Sequence, residues 1–492
     1  MAGSDTNRVR MTTVRETTLG VTPTPTPRMR AHRFTGETLA YQPNFINSEE
    51  IRDDRMNSDP VKVNETNSGP VNGELSYPVD GSPLSQFLES LFFNSWVSTP
   101  SRANDGAAAS VITGVTASTG VITVTAGVAF AVGHLVRLTG FGQAGNSGLF
   151  RVTTGSATVP AVGAALLTDE AAPAATARVK VVGAQGVAGD IAAVADGITA
   201  TALDFTTLGL AVGQWIKIGG TGANFRFATG ATNGWARIVA ISAGKLTLDN
   251  LPTAWATDAG AAKTIRIFFG DLLKNGTTTL SQTIERGWMG QAAPSYIIQR
   301  GMVVGQGEFT YESQQIAKYV LTFNGLTGQV TTTSLDDTPD PVTTNRVMDS
   351  AVSVGRIAEN GVAVGGPNFV KSAGITINNN LRMLDAIRND GLVGAVDIGV
   401  GSCDVTINLQ TYFGSKDLMD RLFSSTVTNL NLRIAKDNQA VIQTVPRMTM
   451  TDGTTSASGK NQDSMLPITA QASKDPLTSA HIMMDRLEYF EV

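Results

Sequence analysis

Three histidines and one cysteine are the side chains best suited to chemistry, and their spacing gives them little to do. His32, His134 and His481 lie far apart, and none has a Cys, His, Asp or Glu at metal-ligand spacing. No His-based metal site is therefore expected. Cys403 falls on the apolar parity of an alternating run and reads as a buried, inert thiol. Gly459-Lys460 precedes Asn461 and lacks the upstream glycine of a phosphate loop, and Gly305-Gln306-Gly307 lacks the third glycine of a dinucleotide fingerprint. The acids Glu49, Glu50, Asp53, Asp54 and Asp59 are interrupted by Arg52 and Arg55, and their spacing does not match a calcium loop. Trp215, Trp235 and Trp255 could form an aromatic platform for a sugar. The nearby Asp249 and Asp258 sit in apparent turns, however, not on the adjacent strands that a glycoside-cleaving pair requires. No catalytic residue set, no metal and no cofactor is expected.

Alternating charge at 48–60 has a different use. Opposite signs in close succession suit docking onto another surface, where complementary charge sets register and rejects wrong partners. Composition agrees: only 16% of residues are charged, against roughly 25% in ordinary soluble domains. A chain so poor in charge gains specificity by burying surface in an assembly. Charge is also uneven. Residues 1–33 hold six arginines against Asp5 and Glu16, and 103–270 is near neutral, so the remainder is more acidic than the net −5 of the whole. An acidic body does not neutralise phosphates and argues against general nucleic-acid binding. The N-terminus has no apolar core segment, so no secretory signal is expected. No run nears the ~18 apolar residues of a membrane span.

The elements that carry these residues are mostly strands. Abundant Gly, Thr and Val favour strands and turns. Residues 1–33 read as an extended arm containing TPTPTP at 22–27, where proline fixes φ and removes amide donors. Its arginines, Arg8, Arg10, Arg15, Arg28 and Arg30, are the candidate contacts to an acidic neighbour. A helix is predicted over 82–96: Ser82 can cap it, Pro83 suits the first turn, and Leu84, Phe87, Leu88, Leu91, Phe92 and Trp96 recur at spacings of three and four. A second short helix is predicted at 416–423, with Leu418, Met419, Leu422 and Phe423 on one side. Alternation predicts strands at 319–324, 403–410 and 430–434, a polar loop at 451–463 and a closing strand at 481–492.

Residues 103–270 contain a repeat. FAVGHLVRLTG at 130–140 aligns with LAVGQWIKIGG at 210–220, NSGLFRV at 146–152 with TNGWARI at 232–238, and ARVKVVG at 177–183 with TIRIFFG at 264–270. Two copies are too few for a solenoid, so two small β modules in series are expected. The expected fold is mainly β. It comprises the arm (1–33), a split sandwich or barrel-forming domain (34–102 and 271–492) with one or two packed helices, and two inserted modules (103–182 and 183–270).

Five segments carry a family resemblance. RETTLGVTPTPTPRMRAHRFTGETL (15–39), SEEIRDDRMNSDP (48–60), GELSYPVDGSPLSQFLESLFFNSW (73–96), YIIQRGMVV (296–304) and GITINNNLR (374–382) resemble, in this order, the tail tube proteins of long-tailed bacteriophages. The resemblance implies a non-catalytic virion protein whose fold is shared with the type VI secretion tube. It implies hexameric rings stacked into a hollow tube that conducts double-stranded DNA without specific binding. Polymerisation would proceed in the host cytoplasm around a tape-measure protein, between the distal tip proteins and a terminator. The loop around 44–72, with Glu49, Glu50, Arg52, Asp53, Asp54, Arg55 and Asp59, would press on the adjacent ring, and the arm would reach a neighbouring subunit. The modules would project outward as armour or as a host-glycan binder. Acids facing the lumen would repel DNA. The rival readings are a cell-surface β-repeat adhesin, which needs a secretion signal and a wall anchor, and an enzyme on a β scaffold.

Overall fold

The computed structural model describes residues 4–24, 27–105, 111–350, 354–359, 361–364, 368–387, 394–455 and 459–491. Residues 1–3 and 25–26 of the expected arm and 456–458 of the expected polar loop lie outside that set. Antiparallel strands dominate the regular structure, as alternation and turn chemistry dictate, with two α-helices among the described residues.

Two layers of strands enclose the main core. In the first, Val61–Glu74 pairs with Lys318–Asn324, which pairs with Ser295–Glu312, then Val370–Asn378, Asp404–Tyr412 and Met465–Ala472. In the second, Val354–Glu359, Thr428–Lys436, Gln439–Gly453, Met483–Glu488 and Asp271–Lys274 pair in that order. Strand Gln439–Gly453 belongs to both: its first half pairs with Met483–Glu488 and its second with Met465–Ala472. Alternate residues from each layer, Phe309, Ile375 and Ile407 from one and Leu432, Val441 and Met484 from the other, meet in one core. Tyr311 Oη donates to Gln443 Oε1 at 2.9 Å across it.

Helix α1 (Pro83–Phe92) plugs this core. Ser82 accepts from the Ser85 amide, Pro83 opens the helix, and Phe93 ends it in the left-handed conformation. Leu84, Phe87, Leu88, Leu91 and Phe92 are buried, each worth about 1.5–3 kcal/mol. Gly307 lets Leu91 approach the sheet: a Cβ there would lie 2.4 Å from Leu91 Cδ2. Trp96 is also buried but lies beyond the helix end. Helix α2 (Asp417–Phe423) buries Leu418. Phe423, expected beside it, is 77% exposed, because the helix is two turns long and its last residue points past the sheet.

The expected arm is built into its own chain. Val9–Arg15 pairs with Gln282–Trp288, which pairs with the first half of Ser295–Glu312. Buried Glu16 fixes the exit, accepting from Ser281 Oγ (2.6 Å), Thr283 Oγ1 (2.8 Å), Gly20 N (2.8 Å) and Gly301 N (2.9 Å). Within the single chain, Arg10, Arg15, Arg28 and Arg30 of this segment pair with acids that are distant in sequence.

Residues between the two halves of this domain share one core, built on a ten-stranded sheet to which both copies contribute and a separate hairpin of Ile112–Thr116 with Val121–Val124. Strand Arg178–Gln185 crosses residues 182 and 183 and pairs with His134–Thr139 of the first copy and, through Arg266–Phe268, with Trp215–Ile218 of the second. Both copies contribute to its core, for example Val136, Val179, Ile216 and Ile238. The alignment is visible in detail. Gly133 and Gly213 share φ near +90° (+90° and +92°). The next residue, His134 or Gln214, accepts from the amide three residues back (Ala131, 2.9 Å; Ala211, 3.0 Å).

Candidate assembly surfaces

The loop singled out by its charges is the tip of a long hairpin. Ala40–Ile46 pairs with 61–68 of Val61–Glu74, with a bulge at Asn44/Phe45. Tyr41 Oη reaches Glu65 Oε1 at 3.2 Å, and Asn44 Nδ2 reaches Thr66 Oγ1 at 3.0 Å. At the tip Arg52 bonds Asp54 at 2.7 Å and Glu50 at 3.4 Å, and the Met56 amide donates to Asp54 at 3.0 Å. Arg52 holds the Asp54 carboxyl below its usual range. Glu49, Asp53, Arg55 and Asp59 are exposed, and Arg55 takes φ +60°. Pairs this exposed are worth about 0–1 kcal/mol and do not anchor a loop.

The same hairpin exposes Phe45 (56%), Ile46 (60%), Ile51 (102%), Met56 (68%), Val61 (60%) and Val63 (44%). Charge patterning drew attention away from these residues. Their signal was apolar side chains without a strand or helix period inside a polar segment. A run of uncovered apolar side chains rimmed by charge has the character of a contact surface.

The arginines of the arm segment meet their own chain. Arg10 lies 3.7 Å from Glu285, Arg15 pairs with Glu89, and Arg28 and Arg30 both bridge Asp340 (3.0 and 3.3 Å) and Asp105 (3.3 and 3.6 Å). Arg8 is exposed. With Asp80, Arg178 and the start of α1, Arg28 and Arg30 line a cleft of about 640 Å³ between the arm segment and the insert.

The groups weighed for chemistry are structural. His32 stacks edge-on to Phe87 (4.9 Å) beside Tyr319 Oη, and burial lowers its pKa to about 3. His481 is also lowered by burial. Cys403 is half-buried just ahead of its strand, and burial pushes its thiol up to about 11. No group of three or more metal-ligating side chains occurs among the described residues. No described helix is long and apolar enough to cross a membrane. The tryptophans do not make a platform. Trp215 is 1% exposed and donates to Thr444 Oγ1 at 2.9 Å. Trp235 packs edge-on to Tyr489 with Arg433 over its ring, and Trp255 donates to Val194 O at 2.7 Å. Asp249 is paired with Arg237, and Asp258 accepts the amides of Thr229 and Gly260.

The insert is joined to the second layer by a buried charge cluster. Asp271 accepts from Lys180 Nζ (2.9 Å), Arg486 Nε (2.8 Å), Thr99 N (2.9 Å) and Thr99 Oγ1 (3.2 Å). Arg486 also reaches Asp80, Ser85 Oγ and Pro78 O, and lies over the Trp96 ring at 4.2 Å. Lys180 and Arg178 both pair with Asp80, whose carboxyl the surrounding cations hold well below its usual range despite burial.

A family model described as phage tail tube protein matches residues 6–266 and 239–472. No curated protein matches the chain.

Proposed function

The chain belongs to the phage tail tube protein family and is a structural component of the virion tail; from that premise we propose that it closes into hexameric rings that stack into the conduit for phage DNA. The observation that carries this reading is the 40–68 hairpin, whose apolar side chains find no cover in their own chain. Burying them against the next ring would supply about 25 cal/mol per Å². The charges around Arg52 would then set register rather than strength. Polymerisation would proceed in the host cytoplasm around a tape-measure protein, between distal tip proteins and a terminator. Since Val9–Arg15 pairs within its own chain, exposed Arg8 is the arm arginine left to meet a neighbour. The insert would sit on the outside as armour.

Deleting residues 48–59 tests the reading. Electron microscopy of particles or purified protein should then show closed rings that fail to stack. Long tubes formed by the deletion variant would remove the stacking role from this hairpin.

A further inference from the structure

The first layer has two ends, and its strand registers say what stands at each. Ser68, Asn324 and Asn378 mark one end, and Glu74, Lys318 and Tyr412 mark the other. The hairpin of Ala40–Ile46 with 61–68 runs on past the first end. Its apolar side chains, Phe45 and Ile46 on one strand, Ile51 and Met56 at the tip and Val61 on the return, stand uncovered there.

The second end carries an uncovered aromatic cluster. Phe369 is 61% exposed, and Tyr412 and Phe413 are exposed beside it. The Tyr412 amide donates to Phe369 O at 2.9 Å, and the Phe413 amide donates to Ser464 O at 2.9 Å, so the three rings leave from paired strand ends. Buried Asn368 fixes them in place. Its Oδ1 accepts from the amides of Gly414 (3.0 Å) and Ser415 (2.9 Å), and its Nδ2 donates to Ser415 Oγ at 2.8 Å. The cluster is thus held rigid, with its rings turned to solvent, which is the character of a contact surface and not of a core.

Charge permits the two ends to meet. Between residues 40 and 68 six acids stand against three bases, a net −3. The exposed charges that flank the aromatic cluster in the chain, Lys371, Lys416 and Lys460 against Asp417, Asp420 and Asp463, balance. No excess of acid at the second end repels the hairpin, and apolar cover supplies the attraction. A patch and its complement at opposite ends of one chain make a head-to-tail contact, which repeats from copy to copy without closing on itself.

We propose that Phe369, Tyr412 and Phe413 are the acceptor for the 40–68 hairpin of a second copy of this chain. The proposal rests on the stacking reading above and adds the acceptor to it.

The test uses tails purified from phage whose full-length chain carries p-benzoylphenylalanine in place of Phe413 or, in a second preparation, of Phe369. After irradiation and digestion, the main cross-link between copies should join that position to a peptide within 40–68. Cross-links only to other segments, including the 380–401 hairpin at the projecting end, or none between copies from either position, would overturn the proposal. Ring mixing gives a second measurement by electron microscopy. Phe369→Ser/Phe413→Ser rings keep the hairpin, and rings lacking residues 48–59 keep the acceptor. Neither should stack alone, whereas the mixture should give pairs of rings and nothing longer, because each pair uses its one intact hairpin end and one intact acceptor end. Long tubes from the aromatic variant, or a mixture without pairs, would remove the acceptor role. Long tubes from the deletion variant alone would instead overturn the stacking reading.

Discussion

The two copies inside the insert hold the same sheet in different ways. In the first copy, Arg178 and Lys180 reach Asp80 and Asp271, and the positions facing the second layer are Leu135 and Leu149. In the second, the residues aligned with Arg178 and Lys180 are Ile265 and Ile267, both buried in the insert core, and those aligned with Leu135 and Leu149 are Trp215 and Trp235. Trp215 adds a hydrogen bond to Thr444, and its backbone amide donates to Asp485 at 3.1 Å. One copy is attached by paired charge and the other by aromatic burial. One contact geometry is thus served by two chemistries.

Breaking the charged attachment should have the largest effect. Asp271→Ala leaves Lys180 and Arg486 buried around an empty centre and should cost about 3–5 kcal/mol in chemical unfolding. Next comes the aromatic attachment. Trp215→Leu installs the first copy's residue, opens a cavity and strands Thr444 Oγ1, and should cost about 2–3 kcal/mol.

His134 and Gln214 sharpen the comparison further, because they do one job with different side chains. His134 Nδ1 accepts the Ala131 amide and Nε2 donates to Leu208 O, a pattern that requires the neutral ring. Burial accordingly lowers its pKa from 6.5 to about 4. The unfolded chain takes up the proton first, so this contribution is complete above pH 6.5 and is lost as pH falls towards 4. His134→Gln should be nearly neutral at pH 7 and should recover about 2 kcal/mol relative to wild type at pH 5, seen as a flatter acid limb of the melting curve. The smallest effect on stability belongs to the hairpin. Arg52→Ala should leave the unfolding midpoint unchanged, since the pairs it breaks are exposed, yet it should impair ring stacking by electron microscopy.

Legibility in the sequence followed the range of the interactions. Helix α1 and the strand Asp404–Tyr412 were plain because capping, spacing and alternation are local signals. The repeat was plain because its copies preserve glycines and neighbours. The arm's real partners were hidden: Arg28 and Arg30 pair with Asp340, about three hundred residues away, and nothing near them records it. The place of Trp215 was hidden for a related reason. Its burial depends on Ala440, Ile442 and Leu487, which come together only when the chain's last strands close over the insert. At the hairpin, the charges were conspicuous, whereas Ile51 and Met56 carried no period to mark them as uncovered.

The strand Ser295–Glu312 spans 18 residues, turned at Gly301, whose φ is +69°, and bulged at Val304/Gln306. It binds the N-terminal segment's partner strand over one half and the two central wall strands over the other. Its hydrogen bonds lie across its axis, so tension along that axis loads many rungs together in shear instead of peeling them one by one. A load passing between the N-terminal sheet and the first layer is therefore carried by one covalently continuous strand, and its points of give are the turn at Gly301 and the bulge at Val304/Gln306 between the two halves.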